Sequence, residues 1–149
     1  MAGILIIAHA PLASALKEFV RHVYGEVPDR IVALDVMAHE DAKLTLEKAT
    51  EAALSIHSKN GLLVLTDIMG ATPANVASRL AHKAIFEGRV RVLTGINLPM
   101  LMRAISYRGE SLDSAMQKAM HGGQQGILPI GHLGVPIDAS PSEKILSKE

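Results

Sequence analysis

The chain has 149 residues, 48% hydrophobic and 20% charged, with 15 basic side chains against 15 acidic ones and no formal net charge at pH 7. That length and apolar content suit one globular domain with its own core, and without a basic field there is nothing to hold a polyanion, which argues against nucleic acid as a partner. The lack of cysteine excludes disulfides, thiolate chemistry and sulfur-ligated metal sites and fits a reducing, cytoplasmic setting; no run reaches membrane-spanning length.

The elements read clearly in chain order. Ile4–Ala8 is aliphatic without alternation, as in a strand covered on both faces. Pro11 opens a helix whose stripe is Leu12, Leu16, Phe19, Val20 and Val23, stopped near Gly25. Arg30–Val36 is a second strand, followed by a helix with Ala42, Leu46, Ala49, Ala53 and Ile56 on its core face and a stop at Asn60-Gly61. Leu62–Thr66 is a third strand. Thr72-Pro73 reads as N-cap plus first helical residue of a helix through Val76, Leu80, Ala84 and Ile85 to Gly88. Arg89–Leu93 is the fourth strand, a short helix begins at Asn97–Met102, and Ser111–Met120 is a last helix broken by Gly122-Gly123. Ile127–Ile130 suits an edge strand, where Pro129 is tolerable, and the chain from Asp138 to Glu149 is a polar tail, leaving residues 1–137 as the domain.

Strands alternating with helices predict an α/β domain: a mostly parallel open sheet of four strands with helices on both faces. In such sheets ligands gather at the carboxyl ends of the strands. The first strand ends at His9 and the third at Asp67, so these two side chains are expected to emerge at one edge. A carboxylate that accepts from one imidazole nitrogen leaves the other as a nucleophile; a histidine that only caps the following helix is the plainer alternative. Gly70, Ala71 and Thr72, between a strand and a helix start, are expected to expose amides suited to a phosphoryl group.

Other signatures fail. There is no P-loop and no G-x-G-x-x-G after the first strand. The other histidines, at 22, 39, 57, 82, 121 and 132, show no metal-ligand spacing, so neither a metal nor an organic cofactor is expected. His22, His57 and His82 are expected to be solvated, His39 is a candidate for the rim of the site, and Arg103 and Arg108 are read as solvated cations. Asn97–Leu101, just beyond the fourth strand, is a candidate wall of the site, and Met100 and Met102 are read as packing residues.

Three blocks together carry a resemblance: His9 at a strand end, Thr66–Asn75 as T-D-I-x-G-x-T-P-x-N, and Thr94–Leu101 as T-G-I-N-L-P-M-L. In these the chain resembles the enzyme IIA components of the mannose class of sugar phosphotransferase systems, over Ile4 to about Ile130. The resemblance implies that His9 accepts a phosphoryl group from the histidine phosphocarrier protein and passes it to a IIB partner, with Asp67 orienting the ring. It also implies a homodimer in which a C-terminal strand can cross to the neighbouring subunit, an element that Ile127–Ile130 matches in position and character; with no run of spanning length, direct membrane insertion is not expected. The family has glycine where this chain has Ala10 and Ala71, and the added methyls are expected to restrict left-handed backbone and narrow a partner's access. Those departures keep open a regulatory module that senses phosphorylation without onward transfer; the phosphoryl-donor domain of a dihydroxyacetone kinase complex, which uses similar chemistry for a different acceptor, is a third reading.

Overall fold

Residues 1–131 are described by the computed structural model, and its element order is set by alternating apolar runs. These are β1 (Gly3–His9), α1 (Leu12–Tyr24), β2 (Ile31–Val36), α2 (Ala42–Ile56), β3 (Leu62–Thr66), α3 (Thr72–Ala81), a 3-10 turn (Ala84–Phe86), β4 (Val90–Leu93), α4 (Leu98–Tyr107) and α5 (Leu112–Gln125). The four strands pair in the order β2-β1-β3-β4, and each pairing is parallel. The expected fold class is the observed one. Because β1 lies centrally between β2 and β3, the chain reverses its winding direction at the β1/β3 boundary, the switch point where an open parallel sheet leaves a crevice.

Strand parity divides the core. Ile4, Ile6 and Ala8 pack with Leu63 and Leu65 against Ala13, Leu16 and Val20 of α1, Leu101 and Ala104 of α4 and Ala119 of α5. Leu5 and Ile7 pack with Leu62 and Val64 against Ala49 and Ala53 of α2, Val76 and Leu80 of α3, and Phe86. Side chains alternate faces along a strand, so both sheet surfaces are buried and the unbroken aliphatic runs of β1 and β3 follow directly. Each fully buried leucine, isoleucine or phenylalanine here contributes about 1.5–3 kcal/mol of transfer free energy.

Several boundaries differ from the sequence reading. Pro11 precedes α1 rather than starting it, and Ala71, not Thr72, is the residue before α3, which offers no side-chain cap. The helix expected to reach Gly88 ends at Ala81; His82 caps it with its amide on the Arg79 and Leu80 carbonyls, and Ala84–Phe86 forms a separate turn that buries Phe86. Ile127–Ile130 adds no strand to this chain's sheet, and Ile127 and Ile130 are exposed. The predicted tail from Asp138, the domain limit at 137 and His132 lie outside the described residues. Among the described residues no helix is long and apolar enough to cross a membrane.

Gly122-Gly123 does not break α5, which continues to Gln125. Both glycines are buried where α5 meets α4: a Cβ on Gly122 would stand 2.3 Å from Cγ of Arg103, and one on Gly123 3.1 Å from Cβ of Met100. Close helix approach, rather than a turn, accounts for the pair, and it outweighs the helix-propensity cost of about 1 kcal/mol per glycine. Gly122→Val should therefore destabilise the protein by about 1–3 kcal/mol through overpacking. Urea unfolding measures this, and a midpoint equal to that of the unsubstituted protein would mean that the two helices do not depend on the contact.

Candidate functional site

His9 is the last residue of β1, and Asp67 follows the last residue of β3. The register places Ile7 opposite Thr66, so both side chains leave the sheet at its carboxyl edge, at the switch point. They meet there. Asp67 Oδ2 accepts from the His9 backbone amide at 2.9 Å and lies 2.8 Å from His9 Nδ1, while Oδ1 accepts from the Ile68 amide at 2.8 Å. The carboxylate is largely covered, with 12% of its side chain exposed, whereas the imidazole is 52% exposed.

The next strand holds the carboxylate's own backbone. The Gly95 amide donates to the Asp67 carbonyl at 2.9 Å and the Ile96 amide to the Thr66 carbonyl at 3.0 Å, tying the end of β3 to the segment that follows β4. Burial alone would raise the Asp67 pKa. The His9 amide, the His9 ring and the Ile68 amide outweigh it and hold the carboxyl below its ordinary value of 3.8. An ionised carboxylate only accepts hydrogen bonds, so the facing Nδ1 carries the ring proton, and the neutral imidazole keeps its lone pair on Nε2.

Gly70, Ala71 and Thr72 lie on the connection between Asp67 and α3. Gly70 takes a left-handed conformation, φ +85°, with open space where a side chain would be; the turn needs glycine for its backbone. Helix α3 then starts without a side-chain cap and with Pro73 in its first turn. The first bond of the helix is Asn75 amide to Ala71 carbonyl at 3.0 Å, which leaves the Thr72 and Ala74 amides pointing out of the helix start. Among the described residues no hydrogen bond joins Gly70, Ala71 or Thr72 to His9.

The expected backbone restriction at Ala10 and Ala71 does not arise. Ala71 has φ −105°, and Ala10 is not among the non-glycine residues with positive φ, which are Arg30, His39 and Glu87. Neither methyl sits on backbone that calls for glycine.

The remaining candidates separate. His39 is exposed with φ 64° and, among the described residues, makes no hydrogen bond to His9 or Asp67. Arg108 is buried, not solvated, and donates to the Asp29 carbonyl at 2.5 Å, while its own carbonyl accepts from Ala2 at the amino end of β1, remote from the site. His57 is also withdrawn from solvent: its ring meets Phe86 at 5.0 Å, Nε2 is buried without a partner, and burial followed by the Arg89 charge lowers its pKa. Asn97 is committed to packing, accepting from Met100 at 2.9 Å and donating to the Gly123 carbonyl at 3.0 Å. Met100 is core, and Met102 is partly exposed. No group of three or more His, Asp or Glu among the described residues is placed to hold a metal ion.

One contact went unanticipated. Asp35, the only charged residue in β2, accepts from the Ser14 amide at 3.0 Å and from the Ser14 hydroxyl at 2.6 Å. A lone acid in an apolar strand, beside a helix that begins after proline with no capping side chain, was the available signal.

Comparison with known proteins identifies the family. The family model described as PTS system fructose IIA component matches residues 3–121. The chain is 30% identical over 108 residues to the PTS system fructose-specific EIIA component of Bacillus subtilis, covering 72% of this chain and 71% of that one. It is 27% identical over 127 residues to the PTS system mannose-specific EIIAB component of Escherichia coli, covering 84% of this chain and 38% of that longer protein. Among solved structures, the phosphotransferase system component EIIA from Streptococcus agalactiae superposes with a TM-score of 0.78 at 27% identity, over 87% of this chain and 97% of that one.

The Asp67 hydrogen bonds imply a pH dependence. Because its folded pKa is lowered, the ionised carboxylate stabilises the fold fully above its ordinary 3.8, and that stabilisation is lost as pH falls through the lower folded value. Asp67→Asn should be less stable than the unsubstituted protein at about pH 5, with the gap closing as pH falls below about 4. Urea unfolding on either side of that pH tests it; a gap that does not shrink on acidification contradicts the assignment.

Proposed function

The chain belongs to the PTS system fructose IIA component family, EIIA-man, and from that membership we propose that His9 carries the phosphoryl group of a phosphotransferase-system relay. It receives the group from the histidine phosphocarrier protein and delivers it to a IIB partner. The observation that carries this reading is the 2.8 Å contact between Nδ1 and Asp67 on a half-exposed ring: it engages one ring nitrogen and leaves Nε2 as the one that a second protein can reach.

In the forward step the Nε2 lone pair attacks phosphorus in line. The new Nε2–P bond forms as the bond from phosphorus to the donor's histidine nitrogen breaks, and that nitrogen keeps the bonding pair. Positive charge then develops on the His9 ring, where the proton held at Nδ1 and the Asp67 carboxylate offset it. Alignment and electrostatic stabilisation supply the catalysis, and the reaction calls on no cofactor. Gly70, Ala71 and Thr72 take the phosphoryl oxygens through the uncapped start of α3, where amides and helix dipole favour an anion.

The surroundings of His9 suit a protein donor. Ile68 and Met69, directly after Asp67, and Met37, directly after β2, are exposed apolar side chains at the same edge of the sheet, an arrangement fitted to docking rather than to enclosing a free sugar. The fructose and mannose named for the two relatives differ, and specificity is assigned to other components of the system. A homodimer is proposed as well, supported by the exposed Ile127, Leu128 and Ile130. Ala71 has a negative φ and Ala10 is not among the positive-φ residues, which removes the left-handed-backbone objection to onward transfer.

Incubation with phosphorylated histidine phosphocarrier protein should label the chain with acid-labile, base-stable phosphate. His9→Ala should abolish that label, and Asp67→Asn should slow its appearance on the order of a hundredfold while circular dichroism remains unchanged. Labelling that persists in His9→Ala would remove His9 from the relay.

A further inference from the structure

His9 lies between two acidic side chains, one from each neighbouring strand. Asp67 beyond β3 holds the ring directly. Asp35 of β2 stands opposite Ala8 in register and has the parity of Ile31, whose side chain lies in the core under α1. From the α1 face it reaches Ser14 in the first turn of α1. Its Oδ1 accepts from the Ser14 amide at 3.0 Å and its Oδ2 from the Ser14 hydroxyl at 2.6 Å, and that hydroxyl also lies 3.1 Å from the Pro11 carbonyl.

Resting on the relay reading above, we propose that Asp35 and Ser14 are positioning residues for His9. Only Ala10 and Pro11 separate the phosphoryl-bearing residue from α1, and neither has a side chain that can hydrogen-bond. Ala10 is tied to β2 through its amide, which donates to the Val36 carbonyl at 2.9 Å. The Asp35–Ser14–Pro11 contacts then fasten the far end of the same turn to the same strand. With both ends fixed to β2, the His9 Cα cannot drift away from β3, and the Nδ1–Asp67 bond keeps its length while a partner protein docks. Ser14 supplies two donors for one carboxylate, so the brace restrains rotation as well as distance.

The brace acts through geometry and not through charge on the ring. Asparagine at 35 can replace both contacts: its oxygen accepts from the Ser14 amide, and its nitrogen donates to the Ser14 hydroxyl, which turns its own proton to the Pro11 carbonyl. Alanine at 35 replaces neither.

The test compares Asp35→Ala, Asp35→Asn, Ser14→Ala and the double alanine variant, each checked for folding by circular dichroism. The phosphorylation rate is measured against phosphocarrier concentration, and the His9 imidazole nitrogens are followed by NMR. Asp35→Ala should lower kcat about tenfold or more, since small misplacements of a reacting group are costly, with KM changed less and the Nδ1 resonance moved toward that of an imidazole without an acceptor. Asp35→Asn should restore most of the rate. Ser14→Ala should fall in the same direction, and the double variant should be no slower than Asp35→Ala, because the two residues form one unit.

Folded Asp35→Ala with unchanged kcat and Nδ1 resonance overturns the proposal and leaves the relay standing. If Asp35→Ala does not fold, Ser14→Ala decides by the same two readouts. Absence of phosphate on the unsubstituted protein overturns both.

Discussion

Everything at the carboxyl edge of this sheet depends on one carboxylate that bridges two strand ends. Asp67 accepts from the backbone amide of His9 and faces its ring nitrogen with the same oxygen, while its other oxygen takes the amide of Ile68. The first of these bonds fixes where β1 ends, and the second fixes which face of the imidazole is spent and which is available. A group that locks backbone and side chain together leaves the ring little rotational freedom. Ordering is thus achieved when the protein folds rather than when a partner arrives, which is the condition under which positioning accelerates a reaction.

That carboxylate is only as well placed as the sheet beneath it. Its backbone is tied to β4 through Gly95 and Ile96, and β3 is buried at every residue. Layers on both faces remove the freedom of β1 and β3 to slide, because a slip of one residue would exchange the side chains of the two cores. The core residues Ile4 to Ala8 and Leu62 to Leu65 therefore serve the site without touching it: they set the register that puts position 9 beside position 67.

The same logic explains what could be read from the chain. Two aliphatic runs of strand length, each ending in a chemically competent side chain, predict parallel neighbours and a shared edge, and that much of the site was legible. Features fixed by packing between distant elements were not. Gly122 and Gly123 look like a helix stop until α4 is laid against them, and His57 looks like a solvated histidine until Phe86 packs on its ring. Thr72 has the residue type of a cap but sits one residue inside the helix. Arg108 carries a charge that its sequence neighbours leave in water, yet the fold gives it the Asp29 carbonyl and buries it. The bond between Asp35 and Ser14 spans 21 residues, beyond any local pattern.

Two helices begin beside the His9–Asp67 pair, and their starts are not equivalent. Helix α1 follows His9 directly, but it lies on the sheet face of Ile4, Ile6 and Ala8, and its Ser14 amide is already taken by the Asp35 carboxylate. An incoming anion there would meet a like charge at the helix pole. Helix α3 lies on the face of Leu5 and Ile7, the parity that His9 shares, and begins with Ala71, which offers no capping side chain. A helix start worth typically 0.3–1 kcal/mol to a nearby negative charge is therefore cancelled on one side of the sheet and kept on the other. The asymmetry leaves an anion beside His9 one helix start at which it is stabilised, and it comes from where Asp35 sits, not from any difference between the helices themselves.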